Sequence, residues 1–274
     1  MHKVTHDFVN IISPPIKNAE EIEALYCELE QRFPYVLPEG LVFPMYGRER
    51  AISDRIGYLD ESLKNNKGVS LGHASLDVYF TFKNMEYPLG KTGSYYCQLM
   101  LGIKRSTVLL AKCDWCDLIA SICERLNAYW GLFSPGDDYY QISNFLQRAL
   151  FSEEGYAERN KDVVEQNWNL LNSYKELDQL PNLDLARYIY RMRDAHIVPE
   201  IRWVNYWCKD IVEYNGIQDA FPLALADCNG HFEKRESGSC IWSLTPEPLS
   251  VSNEIHRGCL IKAFQVFPKI GLRL

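Results

Sequence analysis

No apolar run in this chain approaches the roughly 18 residues that a helical membrane span needs. The first residues also lack the apolar core and small-residue cleavage site of a secretory signal. Phe8 to Ile12 is interrupted by Asn10 and stopped by Pro14 and Pro15. Basic charge is in short supply, with 29 Lys and Arg against 36 Asp and Glu, a formal net charge of −7. A protein that grips phosphates needs the opposite balance, so neither nucleic acid nor membrane is an expected partner. Catalytic signatures are missing as well: there is no H-E-x-x-H, no G-x-S-x-G and no G-x-G-x-x-G. Gly90-Lys91-Thr92 matches the end of a phosphate-binding loop, but Met85 stands where that loop requires glycine.

What is present is ample apolar material. The 274 residues are 47% hydrophobic and 24% charged, the balance of an ordinary globular chain. The length allows one large domain or two small ones, and it buries a core without staples. Nine cysteines, odd in number and scattered in apolar patterns, suit buried thiols in a reducing cytoplasm better than a disulfide framework.

Periodicity supplies the elements. Asn18 can cap a helix that runs to Phe33, with Glu21 completing a capping box and Ile22, Leu25, Tyr26 and Leu29 on one stripe. Pro34 stops it, and residues 34–50 are expected to cross irregularly. Leu76–Phe82, Tyr95–Ile103 and Thr107–Lys112 are expected as three strands of an antiparallel meander. Asp114 is expected to cap a helix burying Leu118, Ile119 and Ile122. Residues 131–138 have a turn composition, and two further helices are expected at 156–177 and 183–195. Residues 201–207 suggest a strand with Trp203, Asn205 and Trp207 on one side and Val204 and Tyr206 on the other. A hairpin around Glu236-Ser237-Gly238 and a helix from Asn253 to Phe267, burying Ile255, Cys259, Leu260, Ala263 and Phe264, close the chain. The order lacks regular βα alternation. The expected class is α+β: antiparallel sheet packed on amphipathic helices, one compact unit over 1–274 with lobes at 1–150 and 151–274.

Cys113-Asp114-Trp115-Cys116 is the sharpest candidate for chemistry. A thiol at a helix N-terminus has a lowered pKa, but Asp114 beside it opposes that shift. Cys228 and His231 could complete a zinc set with Cys113 and Cys116, although more than a hundred residues separate the two pairs. The six histidines (2, 6, 73, 196, 231, 256) are dispersed. From the residues alone, no catalytic centre, metal or cofactor is expected, which favours a binding protein. A thiol- or zinc-dependent enzyme centred on Cys113 and Cys116 is the alternative, and a sheet-based scaffold is a third reading.

Three C-terminal stretches then add a likeness. PEIRWVNYW (Pro199–Trp207), CIWSLTPEPLSVSN (Cys240–Asn253) and AFQVFPKIG (Ala263–Gly271) resemble the bacterial immunity protein family fifty-two. Such proteins accompany polymorphic toxins, including type VI secretion effectors with a restriction-endonuclease-like domain. The resemblance implies a cytoplasmic inhibitor that binds a cognate toxin and carries no active-site residues. Homo-oligomerisation stays open.

Charge suggests where a toxin would be met. Between Ser134 and Glu165 stand seven acidic and three basic residues. Asp137 and Asp138, with Tyr139 and Tyr140 beside them, and Glu153 and Glu154 are the expected contacts for a basic cleft. Tyr206, opposite the two tryptophans of its strand, is expected as an exposed anchor.

Overall fold

The structure, a computed structural model, describes residues 6–33, 42–44, 55–65, 69–73, 78–86, 95–104, 113–135, 198, 201–216, 225–250 and 253–267. Nine strands among them form one antiparallel sheet: β1 (His6–Ser13), β2 (Val42–Pro44), β3 (Val69–His73), β4 (Val78–Glu86), β5 (Tyr95–Lys104), β6 (Trp130–Ser134), β7 (Val204–Trp207), β8 (Phe232–Lys234) and β9 (Cys240–Ser243). Their order is β2-β3-β4-β5-β1-β6-β7-β9-β8. The described helices are α1 (Ala19–Arg32), α2 (Arg55–Lys64), α3 (Trp115–Arg125), α4 (Lys209–Asn215) and α5 (Glu254–Val266). The α+β class holds, with strands from both ends of the sequence in the same sheet.

Caps set the helix starts. Asn18 Oδ1 accepts from the Glu21 N–H at 2.9 Å, while Asn18 Nδ2 donates to the Glu21 carboxylate at 3.1 Å. Asp114 accepts from the Asp117 N–H at 2.9 Å, and Asn253 accepts from the Ile255 N–H at 2.9 Å. Each satisfies one of the donors that a helix start leaves unpaired.

Directly opposed residues of antiparallel strands share a face. Ile11, Gly131, Tyr206 and Ile241 form one such row, and Ile12, Trp130, Trp207 and Cys240 form the row on the other face. The first row lies under α3: a Cβ on Gly131 would fall 2.6 Å from Cys123 Sγ, so only glycine lets helix and strand approach this closely. The second row meets the end of α5, where Phe267 packs on Trp207 at 5.1 Å between ring centroids. α1 covers the same sheet through Tyr26, edge-on to Phe80 at 6.4 Å. Arg32 at its end reaches α3, donating to both Asp117 oxygens at 2.6 and 2.8 Å and to Ser121 Oγ at 2.8 Å.

Because the sheet is covered on both faces, β6, β7 and β9 are buried at every position. This corrects three expectations. Residues 130–134 form a central strand, not a turn, with Gly131 present for close packing. Tyr206 is buried at 4% exposure, its hydroxyl hydrogen-bonded to Ser239, so it is not an exposed anchor. In-out alternation separates core from solvent only where one face is wet. Ile255, expected in the core, is 73% exposed on the first turn of α5. The structure also adds elements that the sequence pattern does not announce: the strand β1, the short β2, helix α2 and strand β3. β4 and β5 pair as expected, but the other edge of β5 is taken by β1. The expected strand at 107–112 and the expected helices at 156–177 and 183–195 lie outside the described residues.

Candidate functional site: a cavity at the start of helix α3

The turn that caps α3 does more than start a helix. With the chain entering β7 and the segments before β8 and after β9, it borders an open cavity of about 740 Å³. Cys113, Asp114, Trp115 and Cys116 line it together with Trp203 and Val204. Asn229, Gly230, His231, Ser243, Pro246, Glu247 and Pro248 complete the lining. The volume falls within the range of ligand pockets.

The walls are held by packing and backbone bonds. Trp115 is buried and stacks on Phe133 at 4.5 Å and 9° between ring planes; Phe133 in turn lies 5.3 Å from Trp203. The Trp203 indole N–H donates to the Thr245 carbonyl at 2.8 Å, and Thr245 Oγ1 donates to the Glu247 carbonyl at 2.7 Å. The loop carrying Pro246 and Pro248 is thereby tied to a wall tryptophan. Behind it, the Asn205 side chain bonds both the N–H and the carbonyl of Arg202, at 2.8 and 2.7 Å. His231 exchanges bonds with Ser243: the Ser243 N–H donates to the His231 carbonyl at 2.9 Å, and the His231 N–H donates to Ser243 Oγ at 3.1 Å.

The two thiols of this cavity are poor nucleophiles. Burial, reinforced by Asp114, pushes Cys113 and Cys116 up to about 12, so both stay protonated at neutral pH. The alternative zinc set does not converge. Cys113, Cys116 and His231 share the cavity, whereas Cys228 turns away to hydrogen-bond Cys259 beside the Asp227–Lys262 ion pair at 2.6 Å. Among the described residues, no three His, Cys, Asp or Glu side chains are placed to hold a metal ion. All nine cysteines are free thiols.

This thiol chemistry has a measurable consequence. Cys97 and Cys240 are fully buried, and burial pushes each up to about 12. In an unfolded chain a thiol titrates near 8.5. Between roughly pH 9 and 12 the unfolded state therefore releases these protons while the folded state keeps them. Unfolding free energy is then expected to be flat below about pH 8 and to fall above about pH 9, by up to about 1.4 kcal/mol per pH unit for each such thiol. Urea titrations between pH 7 and pH 10 read this slope. Iodoacetamide labelling followed by peptide mapping should leave Cys113 and Cys116 largely unmodified at pH 7; labelling at the rate of a free thiol would contradict the protonated, sheltered state of both groups.

Asp137, Asp138, Tyr139, Tyr140, Glu153 and Glu154 lie outside the described residues. The sequence singles out Cys113 to Cys116 and, through the zinc alternative, His231, but misses the other residues that line the cavity with them. Trp115 and Trp203 carry only a core signal, and the Thr245–Pro248 loop shows itself only as a Pro-Glu-Pro run. Among the described residues, no helix is long and apolar enough to cross a membrane.

Comparison with known proteins adds family and fold. Residues 28–274 match the model of a family described as Domain of unknown function (DUF5953). No curated protein matches the sequence. Among solved structures, the chain is similar to Pseudomonas aeruginosa T6SS protein PA0821, with a TM-score of 0.56 and 12% identity over 98% of this chain and 73% of that one. At that identity the likeness shows a shared fold. The narrower likeness to immunity protein family fifty-two is not shown by these matches.

Proposed function

This chain belongs to the DUF5953 family, and we propose that it is an immunity protein of a type VI secretion or related polymorphic-toxin system. In this reading it works in the cytoplasm, holds a cognate toxin in a stoichiometric complex, and blocks it without chemistry of its own. The observation that carries the reading is the fold shared with a T6SS protein along nearly the whole chain. The immunity-like motifs of the C-terminal half support it further. So does the acid surplus, which suits an inhibitor that covers the basic cleft of a nuclease and speeds its own association. The protonated thiols of the cavity agree with a site that binds rather than reacts.

The acidic segment around Asp137 and Asp138 belongs to the same proposal. Replacing both by lysine is expected to slow association with the toxin and to flatten its salt dependence. The reading as a whole is tested by co-expression with the toxin encoded beside this gene. Growth should be restored by this chain and not by an unrelated acidic protein. Undiminished killing in the presence of the folded, expressed chain would overturn it.

A further inference from the structure

We propose that Cys228 and Cys259 form a site of reversible oxidation, a thiol pair that closes to an intramolecular disulfide and clamps the loop bordering the cavity. Its chemistry does not depend on the toxin-binding reading. The two thiols come from different elements. Cys228 ends the short 3₁₀ helix Ala226–Cys228, between the exposed residues Asp227 and Asn229, and Cys259 is a buried residue of α5. Two contacts join these elements. Lys262 of α5, three residues on from Cys259, holds Asp227, the residue before Cys228, at 2.6 Å. The side chains of Cys228 and Cys259 hydrogen-bond each other. A disulfide needs Cα atoms within about 7 Å and side chains aimed at one another. The thiol contact supplies the aim, and the ion pair beside it holds the two backbones together.

Access separates this pair from the deeper thiols. Both residues are 6% exposed, whereas Cys97, Cys123 and Cys240 have no exposed surface. The surroundings are open as well. The Asp227 side chain is 85% exposed, and a Cβ on Gly258, the neighbour of Cys259, would meet nothing within 4 Å. The oxidant is a low-molecular-weight disulfide such as oxidised glutathione. Cys259 gives up its proton and attacks one sulfur of that disulfide, forming a mixed disulfide and expelling one small thiolate. Cys228 then gives up its proton, attacks the Cys259 sulfur and expels the second. Two protein thiols are oxidised, the small disulfide is reduced to two thiols, and these take up the two protons. Burial, with the hydrogen bond from Cys259, holds Cys228 up to about 12 against the pull of Lys262, so closure is slow near pH 7 and quickens as pH rises.

The loop closed in this way, residues 228–259, contains β8, β9 and the segments 229–231 and 246–248 that border the cavity. Tying its two ends together removes freedom from the unfolded chain and fixes the segment before β8 to α5.

The test incubates the full chain with millimolar oxidised glutathione at pH 8, alkylates the remaining thiols after denaturation and maps the non-reduced peptides. The peptides carrying Cys228 and Cys259 are expected to be joined, with Cys97, Cys123 and Cys240 alkylated, and dithiothreitol should separate them again. The oxidised chain should melt higher than the reduced chain by roughly 5 °C. Cys259→Ser should abolish the joined pair, and Cys113→Ser with Cys116→Ser should keep it. If Cys259→Ser does not fold, the map of the wild-type chain decides alone. Absence of the joined pair, joining of Cys113 to Cys116 in its place, glutathione left stably on either thiol, or a joined pair that fails to raise the melting temperature would overturn the proposal.

Discussion

Replacing Trp207 by alanine is expected to remove about 3–5 kcal/mol of stability, a large part of what holds a domain folded. Trp207 has no exposed surface. Its ring stands edge-on to Trp242 at 5.3 Å and 87°, and to Phe267 at 5.1 Å and 79°. This cluster joins the central strands β7 and β9 to the end of α5, so the hole left by alanine would be walled by rigid rings that cannot collapse into it. The indole N–H of Trp207 is buried without a hydrogen-bond partner among the described residues. Trp207→Phe removes that orphan donor along with some volume, and should cost only about 1–2 kcal/mol. Urea unfolding of the two variants checks the order. An alanine variant within about 0.5 kcal/mol of the parent would contradict the core assignment.

Gly230→Ala is expected to be nearly as damaging. A Cβ there would collide with the Ser243 carbonyl and lie 2.8 Å from the Leu244 carbonyl oxygen. Both obstacles are backbone, so neither can swing aside as a side chain would. The hairpin end must move, at a cost of about 3 kcal/mol, and the cavity that Gly230 lines must change shape with it. Gly258 in α5 is the control, because nothing lies within 4 Å of its would-be Cβ. Gly258→Ala should add about 0.5–1 kcal/mol through helix propensity and a less disordered unfolded chain. Thermal unfolding should show opposite signs for the two glycines.

The same regions show what a sequence can disclose. Caps and stripes are local signals, so α1, α3 and α5 are legible from Asn18, Asp114 and Asn253 and from apolar residues at helical spacing. The strands β4 and β5 are legible because polar and apolar residues alternate along them. Of the strands buried at every position, β7 and the β8–β9 hairpin are legible from 201–207 and from Glu236-Ser237-Gly238, but β6 is not. Trp130–Ser134 contains glycine and serine and no alternation, because α3 presses on one face and other apolar residues fill the second. The same double cover puts Tyr206 in the core. Ile255 misleads for the opposite reason: the stripe of α5 is broad, and its first turn lies at the margin of the packed surface.

The candidate cavity is half visible in the sequence. Cys113 to Cys116 stand out as a strand-to-helix turn carrying two thiols. Their neighbours in space come from residues 203–204, 229–231 and 243–248. No periodicity marks residues that converge only because β7 begins where its antiparallel neighbour β9 ends, Val204 opposite Ser243. The effect of Asp114 on the thiols, in contrast, follows from adjacency alone and holds in the structure.

The central claim is stoichiometric neutralisation of a toxin, and titration of the purified chain into its purified cognate toxin tests it most directly, with heat of binding and residual toxin activity read on the same samples. The expected result is a one-to-one complex of sub-micromolar affinity, with activity falling in proportion to added chain and vanishing at equivalence. No heat and no loss of activity at micromolar concentrations would contradict the account, as would complete inactivation by a small fraction of an equivalent, since that would mean the chain acts by catalysis.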